Sequence, residues 1–125
     1  MRIALFLLIL VVSVLALGKT TLACDCAEPP EQESFRRADV VFEGKVVRVD
    51  DAHRPAVFTF AVQKVLKGSA VDEISITGTG TNCDDYFRLN VTYRVYARHF
   101  ENKLVTGQCS GNRVLNPPKR RRNSR

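Results

Sequence analysis

The sequence predicts a small, mainly β protein: a five-stranded closed barrel with one short helix ahead of it, stapled by disulfides. Three observations predict it. Short valine- and aromatic-rich runs recur with turn residues between them, and several alternate apolar with polar positions. No strand–helix–strand rhythm is present. The four cysteines fall as a close pair, Cys24 and Cys26, with two distant partners, Cys83 and Cys109. Closing the strands into a barrel removes exposed edges, whereas an open sandwich of five strands would have little to pack.

The first segment concerns the compartment. Met1 and Arg2 form a short basic start, and Ile3 to Leu17 is an apolar run of about 15 residues. Thr21 and Ala23 occupy the small-residue positions before a signal-peptidase cut. A spanning helix needs roughly 20 apolar residues. Residues 1–23 are therefore expected to be a cleaved secretory signal and not a membrane span, with Cys24 opening the processed chain. A bacterial lipoprotein signal would also put a cysteine after the cut, but Thr21 stands where such signals carry a Leu-like residue. The expected location is extracellular, or periplasmic or lipid-anchored in a bacterium.

Along the processed chain, Pro29 and Pro30 block a helix and hold Cys24 to Pro30 extended. Glu31–Ala38 suits a short helix, with acids at its start and Arg36 and Arg37 at its end, and Phe35 as the expected inward anchor. Asp39–Val49 is a valine-rich strand whose internal Gly44 predicts a bulge. Asp50–Pro55 is a loop. Ala56–Leu66 is the second strand, with Phe58, Phe60 and Val62 on one face and Thr59 and Gln63 on the other. Glu73–Thr77 is the third, with Ile74 and Ile76 inward. Gly78–Asp85 is a polar loop holding Cys83. Val91–Arg98 is the fourth strand, with Val91, Tyr93, Val95 and Ala97 inward, and Lys103–Gln108 the fifth. Residues 24–115 make one domain, and 116–125 a basic, disordered tail.

Charge is unevenly placed. The chain has 19 basic and 13 acidic residues. Lys119, Arg120, Arg121, Arg122 and Arg125 crowd into the tail, so the body from Cys24 to Pro118 is close to neutral and slightly acidic. That speaks against nucleic-acid binding by the domain. The tail suits an acidic polysaccharide or simple solubilisation.

No catalytic constellation stands out. His53 and His99 lack partners at metal-ligand spacing. Asp84 and Asp85 are adjacent, so they point apart, which does not suit paired acid–base chemistry. Four cysteines in a secreted chain of this size predict two disulfides, leaving no nucleophilic thiol. A Cys24–Cys26 ring would staple nothing. The useful pairings tie the amino terminus to two distant points; closing a loop of about 60 residues restricts the unfolded chain by roughly 4 kcal/mol, and two overlapping loops contribute less than twice that. A zinc site would want C-x₂-C spacing, which C-x-C is not. Asn90-Val91-Thr92 matches a glycosylation sequon. A monomeric, non-enzymatic protein without a cofactor is expected.

Several pieces, in order, carry a resemblance: Cys24-Asp25-Cys26 at the processed start with prolines soon after, Ala-Asp-Val-Val-Phe-Glu-Gly-Lys-Val-Val (38–47), Val-Leu-Lys-Gly (65–68), Cys-Asp-Asp-Tyr-Phe (83–87) and Leu-Val-Thr-Gly-Gln-Cys-Ser (104–110). Across 24–115 the sequence resembles the amino-terminal domain of the tissue inhibitors of metalloproteinases, a netrin-like module with an OB-fold barrel. The resemblance implies bridges Cys24–Cys83 and Cys26–Cys109. It also implies a secreted inhibitor of a zinc metalloendopeptidase, in which the α-amine and carbonyl of Cys24 chelate the target's zinc. Asp25, Cys26, Ala27, Cys83 and Asp84 would line the contact. Vertebrate inhibitors carry a small uncharged residue where Asp25 stands, which implies a basic or polar pocket in the target. A netrin-like module binding another protein or a polyanion is the alternative function.

Overall fold

A computed structural model describes residues 1–16 and 24–117. The expected cleavage point after Ala23, and the basic tail from Pro118 on, lie outside the described residues. Helix α1 (Arg2–Ala16) covers the apolar run near the start, and α2 (Glu31–Arg37) is the short helix. Six strands follow: β1 (Val40–Asp50), β2 (Val57–Lys67), β3 (Glu73–Thr77), β4 (Thr92–Phe100), β5 (Lys103–Val105) and β6 (Arg113–Val114). Among the described residues no helix is long and apolar enough to cross a membrane.

The first five strands close a ring. β1 pairs with β2 and β2 with β3, all antiparallel; β3 pairs with β5 in parallel through Ile76–Leu104 and Thr77–Val105. β5 pairs with β4, and β4 returns to β1 from Val40–Ala97 to Lys45–Thr92. The result is the expected OB-fold-like closed barrel. The register of β1 on β2 shifts between Glu43 and Gly44, as the glycine predicts, and at two further points. Such bulges coil the long strands so that the ring can close.

Inside the barrel lie Phe42, Val46, Phe58, Phe60, Ile74, Ile76, Phe87, Val91, Tyr93, Val95 and Ala97. Phe87 comes from the loop before β4, and its ring stands edge-on to Phe58, Phe60 and Tyr93 at 5.0–5.2 Å between centroids. Edge-to-face contacts of this kind add to the burial of apolar area. Phe87 thus closes one end of the barrel and fixes the loop that begins at Cys83.

Three expectations change. The helix ends at Arg37, and Phe35 is exposed while its neighbour Ser34 is buried. The Lys67 ammonium explains this arrangement: it donates to the Phe35 and Ala38 carbonyls at 3.0 and 2.6 Å, capping the helix's negative end, and sits over the Phe35 ring. The fifth strand stops at Val105 instead of Gln108, and a short strand, β6, follows it. β5 and β6 both pair with β4, with the register slipping between them, so residues 106–112 loop out as an arm that carries Cys109 on a single 3₁₀ turn (Gln108–Ser110). Finally, Thr59, Thr92 and Tyr96 are buried although their strand neighbours face the core. Tyr96 packs with Ala38 and Val41 in a second, smaller cluster outside the barrel.

Candidate functional site

Both disulfides converge on the segment Cys24–Cys26. Cys24 bonds to Cys83 and Cys26 to Cys109, with Cα atoms 5.5 and 5.3 Å apart. The two pairings are those the resemblance implied. Because alternate residues are bridged, Asp25 between them stays exposed, as do Ala27 and Glu28 beyond. Among the described residues, no backbone or side-chain hydrogen bond involves Cys24 to Pro29. Two sulfur bridges moor this segment with no hydrogen bond among the described residues, and the amide and carbonyl of Cys24 have no partner there.

The segment then turns into α2 because Pro30, with φ −55° and ψ 146°, offers its carbonyl to the amides of Glu33 and Ser34. Glu31 of this helix and Glu43 of β1 share Arg94 of β4, the Arg94–Glu43 contact being 2.7 Å. The pair anchors the helix, and with it the prolines, to the barrel wall. Both partners are partly exposed, so the stabilisation is modest.

The loop around Cys83 is organised by Asp84. Its carboxylate accepts the amides of Thr79 and Gly80 at 2.6 and 2.8 Å and the Thr79 hydroxyl. A side chain at Gly78 would collide with that carboxylate, since a Cβ there would lie 2.7 Å from Oδ2. On the other flank, the amide of Gln108 donates to the Cys83 carbonyl at 2.9 Å. A Cβ at Gly107 would lie 3.0 Å from the same oxygen, so a residue without a side chain suits this approach. Asp84, an expected contact residue, therefore directs its carboxylate into its own loop.

Partial burial opposes the Asp84 charge, but hydrogen bonds from Thr79, Gly80 and Thr81 outweigh it and hold the carboxyl below the ordinary aspartate value. The folded value is thus lower than the unfolded one. The carboxylate's contribution is present above about pH 4 and is lost as the pH falls through the folded value. Protection factors for amide exchange at Thr79 and Gly80 are expected to collapse in acid while those of the β1–β4 pairing persist. Asp84→Asn should show the same local loss at neutral pH. Full protection at Thr79 and Gly80 in that variant would contradict this account.

Sequence reasoning missed Asn112. Its side-chain amide donates to Asp85 Oδ2 at 2.7 Å and to Thr106 Oγ1 at 2.9 Å, and its carbonyl oxygen accepts the Tyr96 amide at 2.8 Å. It ties the Cys109 arm, the Cys83 loop and β4 together. The Ser-Gly-Asn run directly after Cys109, with Gly111 at φ +90°, was the available signal of an ordered turn.

Clefts flank the bridges. One of about 180 Å³ beside Cys109 is lined by Pro29, Arg37, Tyr96 and Arg98, among others. Another, about 420 Å³, lies beside the Cys83 loop between Phe58, Tyr86, Arg54 and the acids Asp51, Asp84 and Asp85. His53 and His99 are exposed, and among the described residues no group of three His, Cys, Asp or Glu side chains is arranged to hold a metal. No protein-family model matches the chain, and no curated protein matches it.

Proposed function

We propose that the chain is secreted, is processed to begin at Cys24, and inhibits a zinc metalloendopeptidase by chelating its catalytic zinc. The α-amino nitrogen and carbonyl oxygen of Cys24 are the ligands. The observation that carries this proposal is the mooring of residues 24–29 by two sulfur bridges and no hydrogen bond, with Asp25 and Ala27 exposed. Position is held while the backbone donor atoms stay free.

Each step has a physical basis. A catalytic zinc keeps an open position for water or substrate. An α-amine with pKa near 8 loses its proton readily beside a metal. Holding both donor atoms in place before contact lowers the ordering cost of binding. Asp25 then enters the neighbouring substrate pocket, while Cys26, Ala27 and the Cys83–Asp84 loop flank the contact. A buried carboxylate without a partner is costly, so the target pocket is basic or polar.

Two measurements test the proposal. Intact mass of the chain recovered from culture medium should correspond to residues 24–125 with both bridges and no acyl group. That material should inhibit at least one member of a broad panel of zinc endopeptidases. No inhibition by correctly processed material would reject the proposal and favour a netrin-like module binding a different protein or a polyanion.

A further inference from the structure

The seam where the barrel closes carries a cleft on its outer face. Here β3, β5 and β4 lie side by side, with Thr77 beside Val105, Val105 opposite Arg98, and Phe100 opposite Lys103. Side chains alternate between the two faces of a sheet. Ile76, Leu104 and Ala97 pack with the core, so their neighbours Thr77, Val105 and Arg98 project outward. Lys103 and Phe100, each two residues along the same strands, share that face. Together with Pro55 these side chains line a cleft of about 420 Å³. Small-ligand sites occupy about 300–1,000 Å³ and combine apolar walls with a few charged groups.

This lining has that character. Phe100 is 64 % exposed and Val105 half-buried, so both offer apolar surface to the cleft. Arg98 and Lys103 are diagonal neighbours on adjacent strands, roughly 7–8 Å apart at the backbone. Both are exposed, and among the described residues neither has an ion-pair partner. Arg94, on the same strand, is by contrast matched by Glu31 and Glu43. Glu101 is the one acid lining the cleft, and it pairs with neither cation. Two unpaired cations beside an exposed ring complement a ligand that is both apolar and negatively charged.

From this juxtaposition we infer that the cleft binds a carboxylic acid that carries an aromatic or branched aliphatic group. The Arg98 guanidinium offers two parallel N–H groups to the carboxylate, and the Lys103 ammonium adds a second charge. The apolar group lies against Phe100 and Val105. An inorganic anion would leave the ring in water, and a neutral hydrocarbon would cover two cations without pairing them. The acid satisfies both. Such a group occurs on a free small acid and at the carboxy terminus of a peptide whose last residue is apolar. Cys24, Asp25, Cys26, Ala27, Cys83 and Asp84 take no part in lining this cleft, so the inference stands whether or not the chain inhibits a protease.

Amide resonances of the isotope-labelled, disulfide-bonded chain recovered from culture medium test it. Added N-acetylphenylalanine should shift the amides of Thr77, Arg98, Phe100 and Val105, with a dissociation constant of about 1 mM for a ligand of this size. N-acetylphenylalaninamide lacks the charge and acetate lacks the ring; each should bind at least about tenfold more weakly. Arg98→Gln with Lys103→Gln, and separately Phe100→Ser, should each lose about tenfold in affinity while the resonances of β1 and β2 stay in place. A tetrapeptide ending in phenylalanine with a free carboxy terminus separates the two sources. Tighter binding than that of the N-acetyl acid identifies a peptide terminus, and equal or weaker binding a free small acid. The inference is overturned if the amide binds as well as the acid, if either variant binds like its parent, or if none of the four cleft amides shifts.

Discussion

A chain carrying one extra alanine ahead of Cys24 is expected to lose at least about a thousandfold in inhibitory affinity, about 4 kcal/mol, while melting at the parent's temperature. The extension converts a free amine into an amide, which is a poor zinc ligand, and inserts backbone where the metal must approach. Nothing else in the fold depends on that amine: Cys24 makes no hydrogen bond among the described residues and is moored by its sulfur. Inhibition constants and melting temperatures of the two forms, measured on the same protease, separate the chemistry from the fold. Equal potency would refute chelation outright, even if the protein proved to be an inhibitor by another route.

Phe87→Ala is expected to destabilise the domain by about 3–5 kcal/mol, as large-to-small changes of buried aromatic residues do. Its ring is 1 % exposed and stands against Phe58, Phe60 and Tyr93 at the mouth of the barrel. In a domain of this size that shift lowers the melting temperature by roughly 15–30 °C. Phe87→Leu keeps most of the volume and should cost far less. The effect reaches the candidate site as well, because Phe87 anchors the loop that starts at Cys83. Chemical denaturation under oxidising conditions measures it; a loss below about 1 kcal/mol would mean that this ring does not close the barrel.

Much of the fold was legible because strand patterns are local. The alternation of Val91, Tyr93, Val95 and Ala97 identifies a core face from the residues alone, and all four are buried. Gly44 marked its bulge for a similar reason, since an internal glycine in a strand signals irregular pairing. Phe35 was misjudged because a seven-residue helix has too few turns for its apolar residue to define a face, and a distant lysine at the end of β2 decided the matter. The break between β5 and β6 was illegible for another reason: residues 106–112 leave the sheet to reach a sulfur partner 83 positions away in sequence.

The candidate site was legible only as a list of residues. Cys24, Cys26, Cys83 and Cys109 stood out by number and spacing, but which sulfur met which was open on composition alone, with the resemblance favouring the pairing found. The roles of Asp84 and Asn112 emerged from contacts across the loop, the arm and β4 that no spacing encodes.

By itself the sequence determined the strand segments, their inward faces and the close pair Cys24 and Cys26 with its two distant partners, because side-chain periodicity and covalent chemistry act at short range. Tertiary structure decided how the ring closes, through the parallel meeting of β3 and β5, and which outward residues become buried, as Tyr96 does beneath Ala38. It also decided that two bridges suffice to moor a segment with no hydrogen bonds. Those outcomes depend on which surfaces meet in space, and that is set by the packing of the whole barrel.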